Sequence, residues 1–371
     1  MIVATRSNGI YSSPRIEKYI DFYEDNHMEY LIVGWDRNNK KLIRNDTIFY
    51  TKKSGHNVGG FKAAFDRVHW MLFLFKILFK NRKKINTIHA FDLDTAFPAI
   101  LFKLIIRKNI VVIFDVCDWF SATLYKQNKI IIQIFKLMER LTIKYADEVI
   151  ICEPERIEQI PYKLNKEEII VPNIPSFKDL SFLKINDEYK FMNGKITLSY
   201  VGGFGAERFL DELFDIAEKG LINLLIAGYG DAKMEQRCGQ LNNLDNVKYF
   251  GKVDYQLGLN IMYNSDLIYA MYCKSNPNHV YAAPNKYYEA MMLHKPILSN
   301  LGISISNKIL NQQIGYVINE SLPELEELVL SLKKEEMSQK GENAGRLWDN
   351  HYRTYTSDFL NTTYQRILNQ K

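Results

Sequence analysis

The chain has 371 residues, 47 % of them apolar and 25 % charged, with 19 Gly and 10 Pro, proportions that exclude disordered, collagenous and low-complexity classes. That length exceeds what one hydrophobic core ordinarily uses, so two domains are expected. The net charge is +5, and so moderate a basicity without a recognisable binding motif argues against a nucleic-acid partner.

The opening MIVATRS reads as an apolar strand with neither a basic n-region nor a cleavage site, so no secretory signal is expected. Further strands are predicted at 29–34, 47–50, 87–89, 110–115 and 148–151, with helices beginning at Pro14 and covering about 60–80, 95–107 and 128–145. Short apolar runs alternating with helical patterns are the mark of βαβ units and parallel sheets. A polar, Pro-punctuated stretch at 172–194 has neither period and is expected to be a linker. The second half repeats the pattern, with strands at 196–201, 223–227, 247–250, 267–270 and 296–299 and helices at about 206–219, 231–241, 255–264, 284–294 and 322–333. Residues 351–371 place aromatics at helical spacing with no strand left to serve, and are expected to cross back onto the first domain. The expectation is an α/β chain of two Rossmann-like domains, 1–171 and 195–350, with a cleft between them, a linker at 172–194 and a returning helix at 351–371.

Charge is distributed unevenly. Residues 1–175 hold 27 Lys/Arg against 20 Asp/Glu, while the remainder holds 21 against 23. Between Lys52 and Lys84 lie nine basic residues and one acid, Asp66, and within that stretch HWMLFLFKILFKNRKK interleaves apolar bulk with cations. The apolar run 68–79 carries Lys76 and is too short to span a bilayer. Residues 60–84 are therefore expected to lie on an anionic membrane surface, beside the alternative of a buried helix with a solvated basic end. The four cysteines, Cys117, Cys152, Cys238 and Cys273, form no CxxC pair and no ligand spacing, so no metal site and no disulfide framework is expected, and the compartment reads as reducing cytosol.

Two helix starts in the second half carry the chemistry. In SYVGGFGAERFLDEL a strand is followed by Gly202, Gly203 and Gly205 and then a helix, which lets backbone amides approach a phosphate. Arg208 occupies the place of the third glycine of a dinucleotide fingerprint, and no Walker lysine follows. In AAPNKYYEAMMLHKP, Pro284 opens a helix whose preceding Ala282 and Ala283 supply no capping oxygen. Arg208 and Lys286 are each expected in a first helical turn, where a cation is unfavourable unless an anion is bound. Glu289, one turn beyond Lys286, faces the same way and suits a ribose diol.

These residues resemble the bacterial group-1 (family-4) glycosyltransferases of GT-B architecture. The resemblance covers most of both domains and is carried by SSPRIEKYI, HAFDLDTAFPAI, IFDVCDWFS, ADEVIICEPERI, VPNIP, YVGGFGAERFLDEL, LLIAGYGD, VKYFGKV and, most specifically, SNPNHVYAAPNKYYEAMMLHKPIL. It implies a retaining transfer from a nucleotide diphosphate sugar, the donor substrate, with no further cofactor. It places Arg208 at the diphosphate and Glu289 at the ribose, has Pro284, Asn285 and Lys286 cover the phosphates, and makes the loops Gly228–Tyr229–Gly230 and Gly251–Lys252–Val253 walls of the nucleotide, with Gly203 and Gly205 in the donor-binding glycine loop. The leaving phosphate oxygen would take the acceptor proton, so Arg208 and Lys286 would stabilise developing charge, with Asp118 and His89 as candidate acceptor or sugar contacts.

The sequence departs from the family at three places: Tyr281 stands where a second glutamate is usual, Gly203 replaces a frequent arginine, and Cys117 a common histidine. Asp92 and Asp94 form a DxD, the metal-binding pair of another transferase architecture, but Asp94 can cap a helix starting near Thr95, and no catalytic metal is expected. The expected acceptor is a lipid-linked saccharide, in surface polysaccharide synthesis at the cytoplasmic face of the plasma membrane. A sugar-nucleotide epimerase of the same architecture and a catalytically silent donor-binding subunit are the alternatives.

Overall fold

In this computed structural model the described residues are all except 11–13, 38–45, 53–60, 125, 126, 161–166, 176, 178 and 371, and the side chains of 61–64 are likewise outside the description. Ser12 and Ser13 of the SSPRIEKYI motif, Lys53, Gly60 and the Lys62 side chain therefore lie outside the described residues. The chain divides into two units, Met1–Pro172 with Thr356–Lys371, and Asn173–Tyr355.

Among the described residues of the first unit the apolar runs form seven parallel strands: β1 (Ile2–Arg6), β2 (Tyr30–Trp35), β3 (Thr47–Tyr50), β4 (Thr87–Phe91), β5 (Val111–Val116), β6 (Glu148–Ile151) and β7 (Ile169–Ile170). Their spatial order is β3-β2-β1-β4-β5-β6-β7, so the order reverses between β1 and β4. Alternation along β4 sorts its side chains. Ile88 and Ala90 join Trp70, Leu74, Leu78 and Phe102 in a core beneath the helices Phe61–Lys80 and Leu93–Ile105. His89 and Phe91 face the other way, where the Pro14–Asp25 helix brings Tyr19 and the returning tail brings Tyr364.

The second unit repeats the arrangement with six parallel strands: β8 (Thr197–Phe204), β9 (Asn223–Gly230), β10 (Val247–Tyr249), β11 (Leu267–Tyr269), β12 (Ile297–Asn300) and β13 (Gly315–Ile318). The order is β10-β9-β8-β11-β12-β13, and its reversal lies between β8 and β11. The last strand, with the helices Ser304–Asn311 and Lys334–Leu347, was not anticipated from sequence, and neither was β7. The described residues of 173–194 are built into this unit rather than standing free as a linker. Ile174 is buried, Phe177 packs 5.1 Å from Phe182, and Tyr189 meets Phe250 edge-on at 5.1 Å. The return to the first unit begins at Thr356, not at 351. No helix among the described residues is long and apolar enough to cross a membrane.

Candidate functional site

Ligands of doubly wound sheets sit beyond the carboxyl ends of the strands where the order reverses. In the second unit that point is the end of β8 and β11, and the segments after both strands converge there. Beyond β8 the chain makes a 3-10 turn at Ala206–Arg208, passes through left-handed Phe209 (φ 54°) and only then enters the helix Leu210–Glu218. Arg208 thus precedes the helix, correcting the expectation of a cation in its first turn. That turn carries Asp211 and Glu212, which suit its own dipole. Tyr269 at the end of β11 donates to the Phe209 carbonyl at 2.5 Å, and Glu207 accepts from Asn276 Nδ2 at 2.9 Å while its carbonyl accepts from the Cys273 amide at 3.0 Å. The two strand ends are therefore tied to each other around Arg208. The guanidinium lies over the Tyr272 ring at 4.4 Å, and its buried Nη1 has no hydrogen-bond partner among the described residues.

Lys286 approaches from the helix Asn285–Met292, whose N-cap is Pro284 with no side-chain capping bond. Its ammonium lies 5.2 Å from the centre of the Tyr200 ring, in space left by Gly202, where a Cβ would come within 3.0 Å of Nζ. Burial lowers its pKa to about 8; Arg208 adds to the depression and Glu289 opposes it. Neither Arg208 nor Lys286 makes a hydrogen bond or salt bridge with a described residue, and Lys286 is near enough to feel the charges of both Arg208 and Glu289. Glu289 is 4 % exposed and accepts from the Tyr255 hydroxyl at 2.9 Å. Its pKa is raised, because burial outweighs Lys286 and the Tyr255 hydrogen bond. Sequence reasoning missed Tyr255, Tyr272 and Tyr200, since nothing in their local pattern marks an aromatic as a partner of a distant charge.

The glycines have distinct duties. Gly203 is exposed and Gly205 half-buried at the end of β8. Gly228 and Gly230 lie inside the ladder, paired with Gly202 and Phe204. A Cβ on Gly228 would stand 1.9 Å from the Gly202 carbonyl oxygen, and one on Gly230 would stand 2.4 Å from that of Phe204. Both therefore let β8 and β9 stay paired to their ends. Asn285 is exposed at the helix start, and Tyr281 is half-buried after the short turn Pro277–Val280.

In the first unit, His89 is not placed as a substrate contact. It is fully buried, with Nδ1 2.7 Å from the Tyr364 hydroxyl, Nε2 3.4 Å from Asp115 Oδ2 and its ring stacked on Phe91 at 4.2 Å. Burial lowers its pKa despite Asp115, so it is a neutral core imidazole. Arg15 completes this cluster, giving Nε to Asp115 Oδ1 at 2.8 Å and Nη1 to the Val171 carbonyl at 2.8 Å. Asp118, after β5, remains exposed and pairs with buried Arg156 at 3.0 Å. Cys117 donates its amide to Asp92 Oδ1 at 3.2 Å, and burial pushes its thiol pKa well up. The helix after β4 starts at Leu93, so Asp94 does not cap it; Asp94 lies 3.4 Å from Arg67, and Asp92 3.5 Å from Arg6. The DxD carboxylates are thus each turned to an arginine of their own unit.

Comparison of the sequence with protein-family models and with curated proteins gives no match. Solved structures do match over nearly the whole chain. Sucrose-phosphate synthase from Thermosynechococcus elongatus aligns with a TM-score of 0.72 at 13 % identity, covering 99 % of this chain and 98 % of that one. WaaG, a glycosyltransferase involved in lipopolysaccharide biosynthesis, aligns at 0.67 and 11 % identity over 96 % and 98 %. HepE from Anabaena, solved with UDP and glucose, aligns at 0.67 and 12 % identity over 98 % and 99 %. Identities this low speak for architecture alone. With two parallel α/β units in the same strand order and these full-length matches, the chain has the GT-B fold of glycosyltransferases.

Proposed function

We propose that the protein is a glycosyltransferase that takes a sugar from a nucleotide diphosphate sugar and passes it, with retention of anomeric configuration, to a saccharide acceptor. The observation that carries this reading is the pair of cations, Arg208 and Lys286, without hydrogen bond or salt bridge among the described residues, beside buried Glu289 at the strand-order reversal of the second unit. Two cations with only Glu289 to oppose them leave excess positive charge in a partly dry site, which is costly unless an anionic ligand completes them. A diphosphate fits that requirement, and Glu289 one helical turn away fits the ribose hydroxyls. In the transfer the glycosidic bond to phosphate breaks, the acceptor oxygen bonds to the same face of the sugar, and the leaving phosphate oxygen takes the acceptor proton. Arg208 and Lys286 stabilise the charge that grows on that oxygen.

The transfer we propose uses no metal, a reading supported by Asp92 and Asp94 lying 3.5 and 3.4 Å from Arg6 and Arg67. Activity that EDTA abolishes and magnesium or manganese restores would overturn that part. The acceptor we propose is lipid-linked, in surface polysaccharide synthesis at the cytoplasmic face of the plasma membrane, supported by the basic and apolar residues of 60–84. The donor site is tested by thermal shift with UDP, GDP, dTDP, CMP and their sugar conjugates. A selective shift lost in Lys286→Ala and Glu289→Ala supports the site; no shift with any of them counts against it. The burial of His89 favours a second reading, a donor-binding subunit without turnover, which donor binding with no sugar transfer to any acceptor would support.

A further inference from the structure

Three helices cover one face of the first unit's sheet: Phe61–Lys80 after β3, Leu93–Ile105 after β4 and Lys129–Tyr145 after β5. The middle one touches both neighbours. Each returns antiparallel to parallel strands, so the three run alongside one another in the same direction. Their inner faces fill the core with Trp70, Leu74, Phe102 and Ile143. Their outer faces are not polar. On the first helix Phe65, Val68, Leu72 and Phe79 are 60, 51, 63 and 44 % exposed, spaced to form one stripe that Lys76 completes. On the third, Ile130, Ile134 and Leu137 are 69, 53 and 57 % exposed, and exposed Arg140 and Lys144 continue their line. Ile105, 67 % exposed, ends the helix between them.

Charge on this layer is sorted by side. The three helices contain only Asp66, Asp94 and Glu139 as acids, and all three are buried. Asp66 pairs with Lys52 at 2.8 Å, Asp94 lies 3.4 Å from Arg67, and Glu139 accepts from the Ser121 amide and hydroxyl at 2.9 and 2.6 Å. Among the described residues the exposed charges on the same helices are cations throughout, with Lys83, Lys84 and Lys108 beside them. An ordinary solvated face mixes both signs and keeps large apolar side chains scattered.

We propose that this whole layer rests on an anionic bilayer, with Lys129–Tyr145 as a second contact helix beside Phe61–Lys80. The inference extends the reading that residues 60–84 meet the membrane and rests on it. A second copy of the chain would set cations against cations, and a nucleic acid would leave the apolar stripes in water. Lipid satisfies both chemistries at once: the stripes enter the boundary between headgroups and acyl chains, and the cations meet lipid phosphates.

The test is sedimentation of the full chain with vesicles of phosphatidylcholine alone or mixed with phosphatidylglycerol, for wild type, Ile134→Asp/Leu137→Asp and Val68→Asp/Leu72→Asp, with melting curves to confirm folding. Wild type is expected to sediment with the anionic vesicles and not the neutral ones, and each double variant to lose binding by about tenfold. If the Ile134/Leu137 variant binds like wild type while the Val68/Leu72 variant does not, the second helix is wrongly assigned and the 60–84 reading stands. If wild type does not bind, or neither variant weakens binding, both fall. Equal binding to neutral vesicles overturns the anionic assignment, and a wild-type dimer made monomeric by Ile134→Asp/Leu137→Asp, without vesicle binding, gives the face to a second copy. Should the apolar variant unfold, Arg140→Glu/Lys144→Glu takes its place, with the same loss expected and wild-type binding overturning the assignment.

Discussion

The Tyr255 hydroxyl donates to Glu289 Oε1 at 2.9 Å, joining the start of the helix Tyr255–Tyr263 to the middle of Asn285–Met292. Phe177 stacks on the same tyrosine at 5.6 Å and an interplanar angle of 22°, so the ring that aims the hydroxyl is itself held. Tyr255→Phe keeps the ring and deletes the hydrogen bond. Bonds to charged groups contribute roughly 1.5–3 kcal/mol, so donor affinity is expected to fall about tenfold or more. Calorimetric titration of the matching nucleotide diphosphate decides it; wild-type affinity in Tyr255→Phe would remove Tyr255 as the residue that orients Glu289.

Lys286, with its pKa lowered to about 8 by burial, is a cation that the folded chain holds at a cost. The unfolded chain keeps this proton up to 10.5, so between about 8 and 10.5 the group makes stability rise with pH. Ligand binding runs the other way. Affinity for a nucleotide diphosphate is expected to weaken as pH rises through about 8 and the charge is lost. Lys286→Met is expected to melt higher than wild type, by a difference on the order of 1 kcal/mol, while losing the ligand shift. A lower melting temperature together with retained binding would contradict both halves.

Gly228→Ala tests the close approach of β8 and β9. The added methyl would meet the Gly202 carbonyl oxygen at 1.9 Å, and the φ of 156° already disfavours a side chain. Strand separation at this end is expected to cost about 3 kcal/mol or more, read by chemical denaturation. Gly203→Ala, whose Cβ would have only a carbonyl oxygen at 4.0 Å, serves as the mild control.

Lys18 is buried beside Arg15 and Asp115, with Nζ 3.4 Å from the Pro172 carbonyl. Burial first, and Arg15 next, lower its pKa to about 7, against 10.5 for a solvated lysine. Protonation is therefore disfavoured by folding, and this residue adds a rise in stability from about pH 7 towards 10.5. The difference in unfolding free energy between wild type and Lys18→Met should change across that window; a difference independent of pH would show that the ammonium is not held in the core as described.

Much of the architecture was legible because parallel strands buried on both faces leave apolar runs that helices punctuate. β7 escaped because two residues carry no period, and β13 because Gly315 and Tyr316 dilute its apolar pattern. In the site, Lys286 and Glu289 were readable as neighbours, since one helical turn separates them. Arg208 was misread as helical because Phe209, a residue that seldom adopts a positive φ, takes the left-handed conformation before the helix begins. His89 looked like a contact residue because the identity of a side chain says nothing of the sheet face it occupies. Its partners, Asp115 and Tyr364, lie 26 and 275 positions away.

The returning tail sets an order of events during synthesis. Met1–Pro172 leaves the ribosome first, yet His89, Tyr19 and Tyr23 keep one side of their core uncovered until Tyr364 has emerged. The second unit, Asn173–Tyr355, contains all six of its strands and can close before that moment. The unit begun earliest is thus completed last, and a released chain truncated after Tyr355 would keep its whole second unit while its first unit lacked Phe359 and Tyr364, the aromatic plug of its core.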